Sequence, residues 1–114
     1  MTAEDRLQSA CVEWFDYAHP KLRLCLFAVP NGGKRHPKTA NTMKLTGTRA
    51  GVADLIFYFK GNMHCFELKT KTGRQQPTQK AFEDTVRAQG ATYRIVRSIE
   101  SFAVEINSII NPQF

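Results

Sequence analysis

The chain is short of acid. Ten Asp and Glu stand against sixteen Lys and Arg, for a formal net charge of +6, and no acidic residue lies between Gly32 and Ala53. That imbalance points to polyanionic partners, nucleic acid first. Long apolar runs are missing as well. No stretch approaches the ~18 continuous apolar residues of a membrane helix. Met1 to Asp5 is acidic with no apolar run behind it, so no secretory signal is expected and a cytoplasmic location is. Cysteine is scarce: Cys11, Cys25 and Cys65 are odd in number, form no CxxC and sit among apolar residues. Buried thiols in a reducing compartment are expected, with neither a disulfide framework nor a zinc site. His19, His36 and His64 are scattered, and His64 reads as a structural histidine on a strand. There are no internal repeats and no low-complexity segment.

What the chain does have is a hairpin pattern with charge in the wrong places. Gly51-Val52-Ala53-Asp54-Leu55-Ile56-Phe57-Tyr58-Phe59 and Met63-His64-Cys65-Phe66-Glu67-Leu68-Lys69 are rich in aromatic and branched residues and are parted by Lys60-Gly61-Asn62. This predicts two strands and a tight turn. Asp54, Glu67 and Lys69 then fall in strands that read as buried, where charge is costly unless paired or holding a metal. Side chains alternate along a strand, so Cys65, Glu67 and Lys69 share one face and Phe66 and Leu68 the other. A turn at Gly61-Asn62 sets Asp54 opposite Lys69; a turn at Lys60-Gly61 sets it opposite Glu67. Either register gathers the three charges on one face at one end of the hairpin. Two carboxylates beside an ammonium suit a hard cation, magnesium or manganese.

Around the hairpin, Thr2 and Asp5 form a capping box for a first helix whose core stripe is Leu7, Ala10, Cys11, Trp14 and Ala18. Glu4 lies on the side of Leu7 and Cys11, with Gln8 a turn on, whereas Glu13 faces away. His19-Pro20 ends the helix, and Leu22 to Val29 reads as a strand. Pro30-Asn31-Gly32-Gly33 signals a turn, followed by the cations Lys34, Arg35, His36, Lys38, Lys44 and Arg49, with a short helix expected over Thr39 to Leu45. The amides of Asn31, Gly32 and Gly33 together with those cations suit phosphate. Lys71 and Arg74 belong to a second basic loop. Pro77 opens a helix that Gly90 follows, with Ala81, Phe82, Thr85, Val86 and Gln89 on one face and Gln79 in its first turn. Thr92 to Arg97 reads as a strand, with Arg94 and Arg97 reaching either DNA or solvent. Ser98 caps a last helix carrying Ile99, Phe102, Ala103, Ile106, Ile109 and Ile110. The order predicts an α/β fold: residues 1–114 as one small domain, with a mixed central sheet, helices on both faces and a parallel crossover into the last strand.

The ordered set Glu4, Asn31-Gly32-Gly33, Gly51-Val52-Ala53-Asp54-Leu55, Glu67-Leu68-Lys69, Gly73-Arg74, Gln79, Gly90 and Val96-Arg97-Ser98 resembles the VRR-NUC (virus-type replication-repair nuclease) branch of the PD-(D/E)xK nuclease superfamily. Glu-x-Lys alone carries little; the ordered set, spread over most of the chain, carries the resemblance. Ala53 stands where many relatives have proline, a backbone-shaping position that binds no metal. The resemblance implies a restriction-endonuclease-like core and metal-dependent cleavage of DNA. Asp54, Glu67 and the backbone carbonyl of Leu68 would bind Mg2+ or Mn2+, and Glu4 would hold a water or complete a second metal site. Lys69 would position or help deprotonate the attacking water, or stabilise the transition state, and Gln79 would orient a water, a phosphate or Lys69. DNA would run along Asn31, Gly32, Gly33, Lys34, Arg35, Lys38, Lys44, Arg49, Lys71 and Arg74. Small members resemble Holliday-junction resolvases, which implies a homodimer on branched DNA in a bacterial or phage-infected cell, in company with replication or repair proteins. The alternatives are a nuclease for flaps, nicks or ends, a catalytically silent nucleic-acid-binding module, and a subunit that needs a partner.

Overall fold

Helix α1 (Ala3–Ala18) starts where the chain codes a start: Thr2 Oγ1 accepts from the Asp5 N–H and Asp5 Oδ2 accepts from the Thr2 N–H, both at 3.0 Å. The structure, a computed structural model, describes residues 1–30 and 37–113, with the backbone alone for 37–39. Beyond α1 come a 3-10 helix (Pro20–Cys25), strand β1 (Leu26–Ala28), helix α2 (Pro37–Leu45), strands β2 (Leu55–Phe59) and β3 (Asn62–Leu68), helix α3 (Pro77–Ala88), strand β4 (Thr92–Val96) and helix α4 (Ile99–Ile110). The strand expected over Leu22 to Val29 is therefore mostly 3-10 helix. Pro20 fixes a helical φ at its start, and pairing with β2 is left to three residues.

The sheet runs β1-β2-β3-β4, antiparallel except for the parallel pair β3–β4, so it is mixed as the sequence predicts. The hairpin turns at Lys60-Gly61, with Phe59 paired to Asn62 and both turn residues at positive φ, 48° and 82°. Two positive φ values match the twist of the flanking strands. Of the two registers, the one with Gly61-Asn62 at the turn is excluded.

Helices α1 and α4 cover one face of the sheet, where Phe15, Phe57, Phe66 and Phe102 are fully buried with Leu55, Leu68 and Ile106. Each such side chain contributes about 2–3 kcal/mol of transfer free energy. Rings of Phe66 and Phe102 meet edge-on at 5.0 Å between centroids, and those of Phe15 and Phe57 at 5.5 Å. The α1 stripe is rotated from the expected one: Phe15 is buried and Ala18 is exposed. Helix α3 covers the other face, over Ala53, Ile56, Cys65 and Tyr93, through Phe82 and Val86. Ala81, Thr85 and Gln89, expected on that face, are exposed, and Glu83 takes part in it instead. His64 bonds Thr92 Oγ1 at 2.7 Å, a partnered structural histidine as expected. Among the described residues no helix is long and apolar enough to cross a membrane.

Candidate active site

The approach to Asp54 is fixed by a glycine. Gly51 has φ +82°, and a Cβ there would lie 2.2 Å from the Thr78 carbonyl oxygen, so the 51–54 segment packs directly on the first turn of α3. The Val29 N–H donates to the Asp54 carbonyl at 3.0 Å and ties in the end of β1. Asp54 stands just before β2. Continuing the Leu55–Phe66 pairing by one residue sets it opposite Glu67, and its Oδ2 accepts from the Leu68 N–H at 2.8 Å.

Glu67 and Lys69 share the α3 face, as strand alternation requires, and are 2% and 5% exposed. Lys69 Nζ lies 4.0 Å from Glu67 Oε2. Gln79 Nε2 donates to that same oxygen at 2.9 Å, while Gln79 Oε1 accepts from the Gln76 N–H at 2.7 Å. The residue that closes the capping box of α3 is thus the one that holds Glu67. Tyr93 Oη donates to Glu67 Oε1 at 3.4 Å, and Gln75 links Tyr93 to Glu83. Burial above all, then the charge of Asp54 and a hydrogen bond to it, push the Glu67 carboxyl up to about 8, against opposing pulls from Lys69 and Tyr93. The same burial raises the Tyr93 hydroxyl.

The buried Glu67 carboxyl and the half-buried Asp54 carboxyl repel when both are ionised, and a divalent cation relieves that repulsion where a neutral ligand would not. Their oxygens, with main-chain carbonyls, fit a hard cation. Among the described residues no third His, Cys, Asp or Glu joins the pair. Glu4 stands to one side. Its Oε2 would be 3.3 Å, and Lys69 Cδ 3.5 Å, from a Cβ placed on Gly73, so the two flank that glycine.

The structure thus brings Asp54, Glu67, Leu68, Lys69 and Gln79 together and sets Glu4 at the rim. Of the residues expected to meet DNA, Lys44, Arg49, Lys71 and Arg74 are exposed. Arg49 lines a cavity of about 370 Å3 with Val29, Met43 and Thr48. Asn31, Gly32, Gly33, Lys34 and Arg35, and the side chain of Lys38, lie outside the described residues. Two residues were not foreseen as part of the site: Tyr93 and Gln75 hold Glu67 and its surroundings. Arg97, which the sequence set against either DNA or solvent, bonds the carbonyls of Thr70 and Gly73. Arg94, left between DNA and solvent by the sequence, pairs with Glu105 of α4.

No family model matches the chain, and no curated protein matches it. Solved structures do. A "VRR_NUC domain protein" is similar with TM-score 0.76 and 20% identity, over 96% of this chain and 90% of its own. A "VRR_NUC domain" is similar with TM-score 0.59 and 19% identity, over 99% of this chain and 100% of its own. At such identities the likeness lies in the arrangement of elements: the fold of this chain is the fold of the VRR_NUC domain.

Proposed function

We propose that this protein is a divalent-cation-dependent nuclease that hydrolyses DNA phosphodiesters at Asp54 and Glu67. The observation that carries this reading is the meeting of those two carboxyls at the end of β3, with Glu67 pushed up to about 8 and the buried Lys69 ammonium 4.0 Å away. Asp54, Glu67 and the Leu68 carbonyl would hold Mg2+ or Mn2+. Bound there, the cation would lower the pKa of water and offset charge developing on phosphorus. The chain's own groups do the rest. Gln79 and Tyr93 fix the Glu67 carboxylate. Lys69 places its ammonium where the phosphoryl oxygens gather charge, a role worth about 10²–10³ in rate for a single well-placed donor. Glu4 orients water from the side of Gly73. Lys44, Arg49, Lys71 and Arg74, with Asn31 to Arg35 and Lys38, carry the phosphate backbone, and the excess of +6 supports a polyanionic substrate.

Branched DNA cut by a homodimer is the substrate we favour, since paired cuts at a symmetric junction need two sites related by a two-fold axis. Cleavage of labelled four-way junction, flap, linear duplex and single strand tests it. Paired symmetric nicks on the junction, from a protein that elutes as a dimer, are expected. Cutting of flaps or ends by a monomer would retain the chemistry and discard the resolvase. Lys69→Ala should lose turnover and keep DNA affinity; full cleavage by that variant would remove Lys69 from the mechanism.

A further inference from the structure

Val96-Arg97-Ser98 is the one motif of the sequence to which the chemistry above gives no work. Arg97 follows β4 and is exposed, the usual setting of a phosphate-binding arginine. Its Nη1, however, is committed to the protein. It donates to the Thr70 carbonyl and to the Gly73 carbonyl, each at 2.7 Å. Those two carbonyls bracket a tight turn whose only other main-chain tie, among the described residues, is the Gly73 N–H to Thr70 oxygen bond at 3.2 Å. Gly73 is the contact point with the site: a Cβ there would lie 3.1 Å from Thr70 Oγ1, 3.3 Å from Glu4 Oε2 and 3.5 Å from Lys69 Cδ. One residue earlier, the Val96 carbonyl accepts the Lys69 N–H at 3.1 Å. The end of β4 thus grips the chain just before the turn through Val96 and across the turn through Arg97.

We infer that Arg97 is a positioning residue: it clamps the Thr70–Gly73 turn and so fixes Lys69 and Glu4 on either side of Gly73. The kinetic part of this inference rests on the nuclease reading above; the clamp itself does not. Both bonds come from a single nitrogen, so an ammonium at the same place, with three donors, can make them too. Lysine should therefore substitute for Arg97, although it would not replace a planar two-pronged phosphate contact.

The test compares wild type, Arg97→Ala, Arg97→Lys and Arg97→Met, with Arg23→Ala as a charge-loss control. Arg23 pairs with Asp16 of α1, and its loss should leave the kinetics unchanged. The expected result is a kcat lower by about tenfold or more in Arg97→Ala, with KM and DNA affinity within about twofold, and recovery in Arg97→Lys. Arg97→Met, which keeps an unbranched stem and has no donor, serves the same purpose if the alanine variant does not fold. A higher KM with kcat kept, and a salt slope smaller by about one, would make Arg97 a phosphate contact and overturn the inference. Unchanged kinetics, or an equal loss in Arg23→Ala, would overturn it also. Amide exchange across residues 70–73 reads the clamp without activity. Faster exchange in Arg97→Ala, reversed in Arg97→Lys, supports it; unchanged exchange sinks it. If wild type cuts nothing, the nuclease reading falls and the exchange data alone decide on the clamp.

Discussion

Glu67→Gln should make the protein more stable as it makes it inactive. Glu67 is 2% exposed and its carboxyl is pushed up to about 8, from an ordinary value of 4.5, by burial first and by Asp54 second. Its proton is held more tightly in the folded chain than in the unfolded one. Stability is therefore undiminished below about pH 4.5 and falls as pH rises through the interval up to about 8, after which the loss is constant. Each pH unit in that interval removes about 1.4 kcal/mol, which gives roughly 3 kcal/mol at pH 7 and an upper limit of about 5 above pH 8. Glutamine is neutral at every pH, keeps a carbonyl acceptor for Gln79 Nε2 and offers Asp54 an amide donor. Urea unfolding in EDTA at pH 5, 7 and 8.5 measures the difference. The variant should match wild type near pH 5 and exceed it by roughly 3 kcal/mol at pH 7, a midpoint shift of about 1–3 M. Millimolar Mg2+ should then narrow the gap, since it binds only the ionised pair; a cation at 100 times its Kd adds about 2.7 kcal/mol to wild type. A pH-independent difference, or a variant weaker than wild type at pH 8.5, would refute the reasoning about this carboxyl.

Gly51→Ala meets both a φ of +82° and the Thr78 carbonyl at 2.2 Å, so it should destabilise by roughly 2–4 kcal/mol, read by denaturant unfolding. Gln79→Ala removes a cap and the Glu67 contact: about 1 kcal/mol of stability should go, and cleavage should drop more than DNA affinity does. Burial pushes Cys11 and Cys65 up to about 11, so at pH 8 thiol titration should reach Cys25 well before the other two, which react only on unfolding. Equal rates at all three cysteines would contradict the core described here.

The sequence discloses most where local and periodic signals coincide. The Thr2–Asp5 capping box, the hairpin runs and the α4 stripe were all legible because each is written within a few residues. The hairpin register was legible only to a pair of choices. Gly61 supports either turn, and Lys60 at φ 48° is a conformation that side-chain type does not announce. Leu22 to Cys25 looks like strand by composition, but Pro20 starts a 3-10 turn and tertiary packing leaves only Leu26–Ala28 to pair. Asp54, Glu67 and Lys69 stood out because charge interrupts apolar runs. Tyr93 and Gln75 did not, because their places beside Glu67 depend on the parallel β3–β4 register, which no local pattern encodes. Arg97 was hidden for a different reason: its acceptors are main-chain carbonyls 24 and 27 residues away, and every residue has one.

The central claim is that Asp54 and Glu67 form a cation-dependent site for cutting DNA. One gel tests it: wild type, Asp54→Ala and Glu67→Ala on the four DNA structures, each with Mg2+, Mn2+ or EDTA. Cleavage by wild type that needs the cation and vanishes in both variants is the predicted result. Cleavage that persists in EDTA or in either variant, or a wild type that binds DNA and never cuts it with any cation, would contradict the account.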